Sequence, residues 1–181
     1  MAEVNYYGLT GGVQKSQLHA VLPVDFAAVA DDFETVTLTW DETDAVCNFL
    51  EVQTSEGVVG EGTVTTLDDS DLVVGSGTNF DDFSEGQLIH IEDDGIFTIV
   101  EIIDAENMRV EPIPSNSADT LGWEVSGEWE VLANLPVEGI ETVEHSDLTA
   151  ETPYFYRMRG KRRMWWSGYE SFATVTTPAE L

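Results

Sequence analysis

Two short runs constrain this chain more than any other feature: TVTLTW at 35–40 and YFYRMR at 154–159 alternate with a period of two. In an extended strand successive side chains point to opposite faces, so period two is the mark of a strand with one buried face. Val36, Leu38 and Trp40 then share one inward face. Tyr154, Tyr156 and Met158 share another, with Phe155, Arg157 and Arg159 pointing outward. The 3.6-residue period of an amphipathic helix is hard to find anywhere, and clusters of Gly, Asp, Asn and Ser punctuate the apolar runs throughout. The expected fold class is all-β.

The chain has 181 residues, room for one domain or two modest ones, and its 42% hydrophobic content is enough to build packed cores. Thirty-five acids against seven basic residues give a formal net charge of −28. Such a field repels nucleic acid and anionic membrane surfaces, so neither is an expected partner. The acids are spread along the whole chain, and Lys15 and Lys161 are its only lysines. That pattern resembles proteins of salt-loving or marine organisms, in which screening relieves self-repulsion; an ordinary acidic surface is the alternative. There is no apolar run of transmembrane length, and MAEVNYYGLTGGVQKSQLH lacks the layout of a signal peptide, so a soluble, unprocessed protein is expected. Cys47 is the single cysteine and lies in the apolar run DAVCNFLEV, which reads as a buried small hydrophobe.

The stretch PVDFAAVADDFETVTLTW, from Pro23 to Trp40, resembles the opening of a fibronectin type III domain: a proline, an apolar first strand, and a second strand ending in tryptophan. LTAETPYFYRMRGKRRMWWSGYESFATVTTP resembles the close of that fold. Leu148 and Tyr154 have the spacing of its tyrosine corner, in which the phenol bonds to upstream backbone. A final strand is expected over Ser171 to Thr177. The resemblance implies an Ig-like β-sandwich used for binding or spacing, a fold that rarely carries catalysis.

Pro23 to Pro178 is far longer than such a sandwich, so something is inserted. A third strand is expected at Asn48 to Thr54 and a return to the sandwich at Glu128 to Leu135. Between them, GTVTTL, DLVVGSGTNF, QLIHIEDD, GIFTIVEII, NMRVEPI and GWEV read as strands of a small β-barrel or meander. The expected organisation is an N-terminal arm over 1–22, a fibronectin III-like sandwich over 23–57 plus 127–178, and an inserted β-domain over 58–126. The series GSGTNFDDF, GQLIHI, FTIVEIID and NMRVEP resembles a β-module of tailed-phage virion proteins. Both resemblances imply a structural protein of a bacterial or archaeal tailed virus, in head decoration, connector or tail. Its partners would be other virion proteins and copies of itself, and its location the virion, assembled in the host cytoplasm.

Five of the seven cations fall in RMRGKRRMWW: Arg157, Arg159, Lys161, Arg162 and Arg163, followed by Trp165 and Trp166. Arginine and tryptophan are common interface anchors, so this segment is expected to meet an acidic surface of a neighbouring subunit. Tyr6, Tyr7 and Leu9 are the expected anchors of the arm. A competing reading makes Arg157 and Arg159 outward strand residues paired with nearby carboxylates. Stacking of the tryptophans on nucleic-acid bases is disfavoured by the overall charge. Asp68, Asp69 and Asp71, Asp81 and Asp82, and Glu92, Asp93 and Asp94 raise calcium as a question, but none fits a DxDxDG loop, and turns select Asp for conformational reasons alone. His19, His90 and His145 are far apart, so no metal site is expected. None of G-x-S-x-G, a phosphate-binding loop or H-E-x-x-H is present, and no enzyme activity and no cofactor are expected. A carbohydrate- or receptor-binding module, with Trp123, Trp129, Trp165 or Trp166 stacking on sugar rings, is the second reading.

Overall fold

The computed structural model describes residues 20, 22–41, 47–137 and 141–180. Tyr6, Tyr7 and Leu9 lie outside the described residues.

The described chain is all-β, and its first layer is a three-stranded sheet. β1 (Val24–Ala30) pairs with β2 (Val36–Asp41), and β2 with β12 (Thr142–His145), all antiparallel. Facing it, β3 (Phe49–Val59) pairs with β11 (Glu130–Pro136) on one edge and with β13 (Pro153–Arg162) on the other. β13 pairs in turn with β15 (Ser171–Thr176) and with the short β14 (Trp165–Trp166). Three strands facing four longer ones and the short β14, with connections that cross between layers, is the architecture of an Ig-like sandwich. Val36, Leu38 and Trp40 from one layer meet Leu50, Val52, Tyr156 and Met158 from the other in a single buried cluster. Burial of each such side chain contributes about 1.5–3 kcal/mol. The tyrosine corner is present: the Thr149 N–H donates to the Tyr154 hydroxyl at 3.0 Å.

The second group of strands hangs from the distal end of β3. It comprises β4 (Thr63–Thr66), β5 (Leu72–Ser76), β6 (Leu88–Ile91), β7 (Gly95–Asp104), β8 (Asn107–Glu111), β9 (Ala118–Leu121) and β10 (Trp123–Ser126). Their order from β3 is β10-β6-β7-β8-β5-β4-β9. β9 and β10 stand at opposite ends of that order yet are separated in the chain by Gly122 alone, so the sheet rolls back on itself. It encloses a separate apolar cluster, with Phe80, Ile89, Ile91, Ile99, Met108 and Val110 almost wholly buried. The acidic turns serve the roll. Asp69 and Asp93 adopt left-handed backbone, φ 62° and 60°, where Asp is tolerated better than most residues, and Asp71 receives Arg109 at 2.7 Å.

Four expectations need correction. The third strand does not stop at Thr54: β3 runs unbroken to Val59, pairing with β13 through Glu56 and with β10 from Gly57 onward. Phe155 points away from the sandwich core as expected but is fully buried, because β3 turns over it there; a Cβ at Gly57 would come within 2.7 Å of its ring. Leu22, assigned to the arm, is buried in the sandwich core. The segment read as one strand from 71 to 80 ends at Ser76 and closes with a 3-10 turn at Phe80–Asp82 that plants Phe80 in the second core. Cys47 is half-buried against the sandwich core, where burial pushes its thiol pKa up.

Candidate functional site

The outward face of β3 and β13 is polar where an ordinary exposed sheet face would be, but its polar groups are locked together. Register decides this: Gln53 stands opposite Arg157, Glu51 opposite Arg159 and Phe49 opposite Lys161. Arg157 donates through Nε and Nη2 to Gln53 Oε1 at 2.9 and 2.7 Å, and Gln53 Nε2 donates to Glu51 at 3.0 Å. Glu51 also accepts from Arg159 at 2.8 Å and from the Tyr169 hydroxyl at 2.6 Å. The Glu51 side chain is only 9% exposed. Burial pushes its pKa up, but the hydrogen bonds from Arg159, Tyr169 and Gln53 and the charge of Arg159 outweigh that and hold the carboxyl below its usual range.

Aromatic rings fill the spaces between the cations. The Arg157 guanidinium lies 4.0 Å from the centroids of both Trp129 and Tyr169. Arg159 lies 4.6 Å from Trp166 and 4.9 Å from Tyr169, and Lys161 Nζ lies 5.2 Å from Trp166. The result is a ladder in the order Trp129, Arg157, Tyr169, Arg159, Trp166, Lys161. Planar guanidinium groups stack on ring faces and still present their edges to acceptors, which an ammonium cannot do.

The hairpin that returns the rings is fixed locally. Arg162 pairs with Trp165 across a two-residue turn of Arg163 and Met164. Arg163 takes the left-handed region, φ 58°, and its N–H donates to Asn48 Oδ1 at 3.3 Å. Ser167 and Gly160 exchange bonds in both directions, 2.8 and 3.0 Å. A Cβ at Gly160 would come within 2.9 Å of Leu22 Cδ2 and 3.1 Å of Cys47 Cβ, so the strand packs closely there. This rigid base carries an apolar tip. Met164 is 83% exposed, Trp165 67% and Trp166 38%, with Phe49 beside Lys161 at 52%.

The segment singled out from the sequence is thus divided by the fold. Arg157, Arg159 and Lys161 are rungs, Arg162 leads into the turn and Arg163 lies in it, Trp166 is the last aromatic rung, and Trp165 projects at the tip. Trp129, Tyr169, Glu51, Gln53 and Phe49 belong to the same face and were not expected there. Trp123, expected as an exposed aromatic, is instead buried. Its Nε1 donates to the Glu61 carbonyl at 3.3 Å, and its ring packs edge-on against Phe80 and Phe83. Among the described residues the histidines are dispersed: His90 bonds Glu124 at 3.3 Å, and His145 bonds the Tyr156 hydroxyl at 3.1 Å. No three His, Cys, Asp or Glu side chains among the described residues are grouped to hold a metal ion.

No protein-family model matches the chain, and no curated protein matches it. Among solved structures, the chain is similar to one described as a myokine structure, at 10% identity and a TM-score of 0.40, covering 87% of this chain and 96% of that one. It is similar also to a computer-based redesign of a β-sandwich protein, at 11% identity and a TM-score of 0.39, covering 88% and 91%.

Proposed function

We propose that this chain is a non-catalytic structural module of a repetitive protein assembly, the virion of a tailed virus, and that it works by docking its β13–β14 hairpin on neighbouring subunits. The observation that carries the reading is the tip itself: Met164 and Trp165 are held in solvent on a base braced by the six stacked cations and rings of the ladder. Exposed apolar side chains on a rigid base bind with little ordering cost, and repetition multiplies contacts that are weak singly. The virus itself rests on the sequence resemblance of the inserted strands. Head decoration, connector and tail accessory are equally compatible with it, and a saline habitat would suit the charge.

Mass spectrometry of purified virions is the test. Many copies per particle are expected, and absence from the particle removes the reading. Glycan binding separates the second reading, which the ladder narrows: Trp123 is buried, and Arg157, Arg159 and Lys161 already occupy faces of Trp129 and Trp166. Saturable binding to a glycan array that Trp165→Ala abolishes would favour carbohydrate recognition over subunit docking. Because screening relieves self-repulsion, the melting temperature is expected to rise from low to molar salt; a flat profile defeats the saline inference.

A further inference from the structure

The two ends of β3 differ in charge and in what they expose. At the Phe49 end stands the hairpin tip with the cations of the ladder. At the Val59 end stands the rolled sheet, where residues 57–126 hold 16 acids and a single cation, Arg109. That arginine is already held by Asp71 at 2.7 Å and Glu101 at 3.1 Å. Eleven extended residues separate the ends by about 35 Å, several times the roughly 8 Å screening length at physiological salt. Each end therefore presents its own local charge to an approaching surface, whatever the net charge of the molecule.

The acidic end also carries an apolar recess. Val58 and Val59, successive residues of β3, are each more than half exposed, and with Gly60, Phe83 and Trp123 they border a depression of about 380 Å³ whose rim includes Glu61 and Asp82. Gly60 lies flat on the buried Trp123, where a Cβ would fall 2.1 Å from the indole ring, so backbone covers that ring and the half-buried Phe83 supplies the accessible aromatic part of the floor. A floor of valine and aromatic carbon inside a carboxylate rim is the complement of an apolar tip framed by arginines. The recess is large enough for one tryptophan side chain.

We infer that the occupant of this recess is the hairpin tip of a second copy of this chain, Trp165 seating on Val58, Val59 and the aromatic floor and Arg163 meeting Glu61. This rests on the reading of the chain as a subunit-docking module and names its partner. Tip and recess are different surfaces at opposite ends of the molecule, so the contact is heterologous: each copy uses its tip on one neighbour and offers its recess to another. Copies then add head to tail, closing into a ring if the rotation between them permits and otherwise extending as a filament. One seated hairpin buries little surface, so the isolated contact is weak and becomes firm only when a ring or a surrounding lattice repeats it.

Complementation of two variants at about 0.15 M salt tests this. A tip variant, Arg163→Glu with Trp165→Ala, and a recess variant, Val59→Lys with Glu61→Lys, are each checked for unchanged near-ultraviolet circular dichroism. Sedimentation of the wild type between about 10 µM and 1 mM is expected to show mass rising with concentration past the dimer. Each variant alone is expected to be monomeric, with at least tenfold weaker self-association. An equimolar mixture is expected to give dimers and nothing larger, since only one intact tip faces one intact recess. A recess variant that still dimerises alone would mean tip-to-tip contact and overturn the inference, as would a wild type that stays monomeric across the range. In an otherwise wild-type chain, a photoreactive phenylalanine at position 165 should cross-link to the peptide containing Val58–Glu61 of another copy; cross-links to its own chain or to another tip count against it. Abundance in virions without self-association would leave the docking reading standing and remove only this choice of partner.

Discussion

Replacing Arg159 by methionine tests the ladder most directly. Methionine keeps the apolar stem and removes the guanidinium, so the loss is electrostatic more than steric. Glu51, 9% exposed, would keep Tyr169 and Gln53 as donors but lose the cation 2.8 Å away. Breaking a buried pair from one side costs about 3–5 kcal/mol, and because the Arg159 side chain is itself 29% exposed the lower end applies. The stacks on Trp166 and Tyr169 add about 0.5 kcal/mol each. The expected loss is about 4 kcal/mol, or roughly 8–16 °C in melting temperature for a chain of this size. Removing both partners, as Glu51→Met with Arg159→Met, is expected to cost less than Arg159→Met alone, since no charge is left stranded. Urea unfolding followed by tryptophan fluorescence gives both values from midpoints at constant slope. A loss below about 1 kcal/mol for the single variant, or a double variant that loses the sum of both singles, would refute the claim that Glu51 and Arg159 form one coupled unit.

Three further outcomes are expected. Tyr154→Phe removes the acceptor of the Thr149 N–H and should cost about 1–3 kcal/mol in urea unfolding, with the fold retained. Burial pushes the His145 pKa down, and a group whose folded pKa is depressed loses stability as pH falls through its unfolded value. Melting temperature should therefore begin to drop below about pH 6.5 and fall again once pH drops below the ordinary glutamate range, because hydrogen bonds hold the Glu51 and Glu124 carboxyls below it; His145→Gln should flatten only the first step. Gly60→Ala forces a methyl into the indole of Trp123 and should disorder the rolled sheet, read as loss of near-ultraviolet tryptophan signal, whereas an alanine at Gly86, which has nothing within 4 Å, pays only for its φ of 89°.

Local pattern carried the fold further than it carried the site. Alternation at Val36, Leu38 and Trp40 and at Tyr154, Tyr156 and Met158 placed the inner faces correctly, because period two is a property of each strand alone. Turn residues likewise bounded most of the inserted strands, although β5 ends short of its expected strand and β9 was not among the strands expected. The ladder was illegible for the opposite reason. Glu51 and Arg159 are 108 residues apart, and their meeting depends on a register that only the pairing of β3 with β13 fixes. The spacing of Arg157 and Arg159 matches that of Gln53 and Glu51, a signal visible only once those strands are set side by side. Phe155 failed similarly: its outward parity was right, and the cover over it comes from a neighbouring strand's continuation past Glu56.

That continuation has a mechanical consequence. A domain inserted through a flexible loop can swing, and a pull on it opens its host one hydrogen bond at a time. Here β3 is shared, paired lengthwise with β13 over Phe49–Glu56 and with β10 over Gly57–Val59. Tension applied between the hairpin tip and the rolled sheet would therefore run along the strand, loading its hydrogen bonds together in shear, so the two ends of the chain are held at a fixed distance by a strand that resists being peeled.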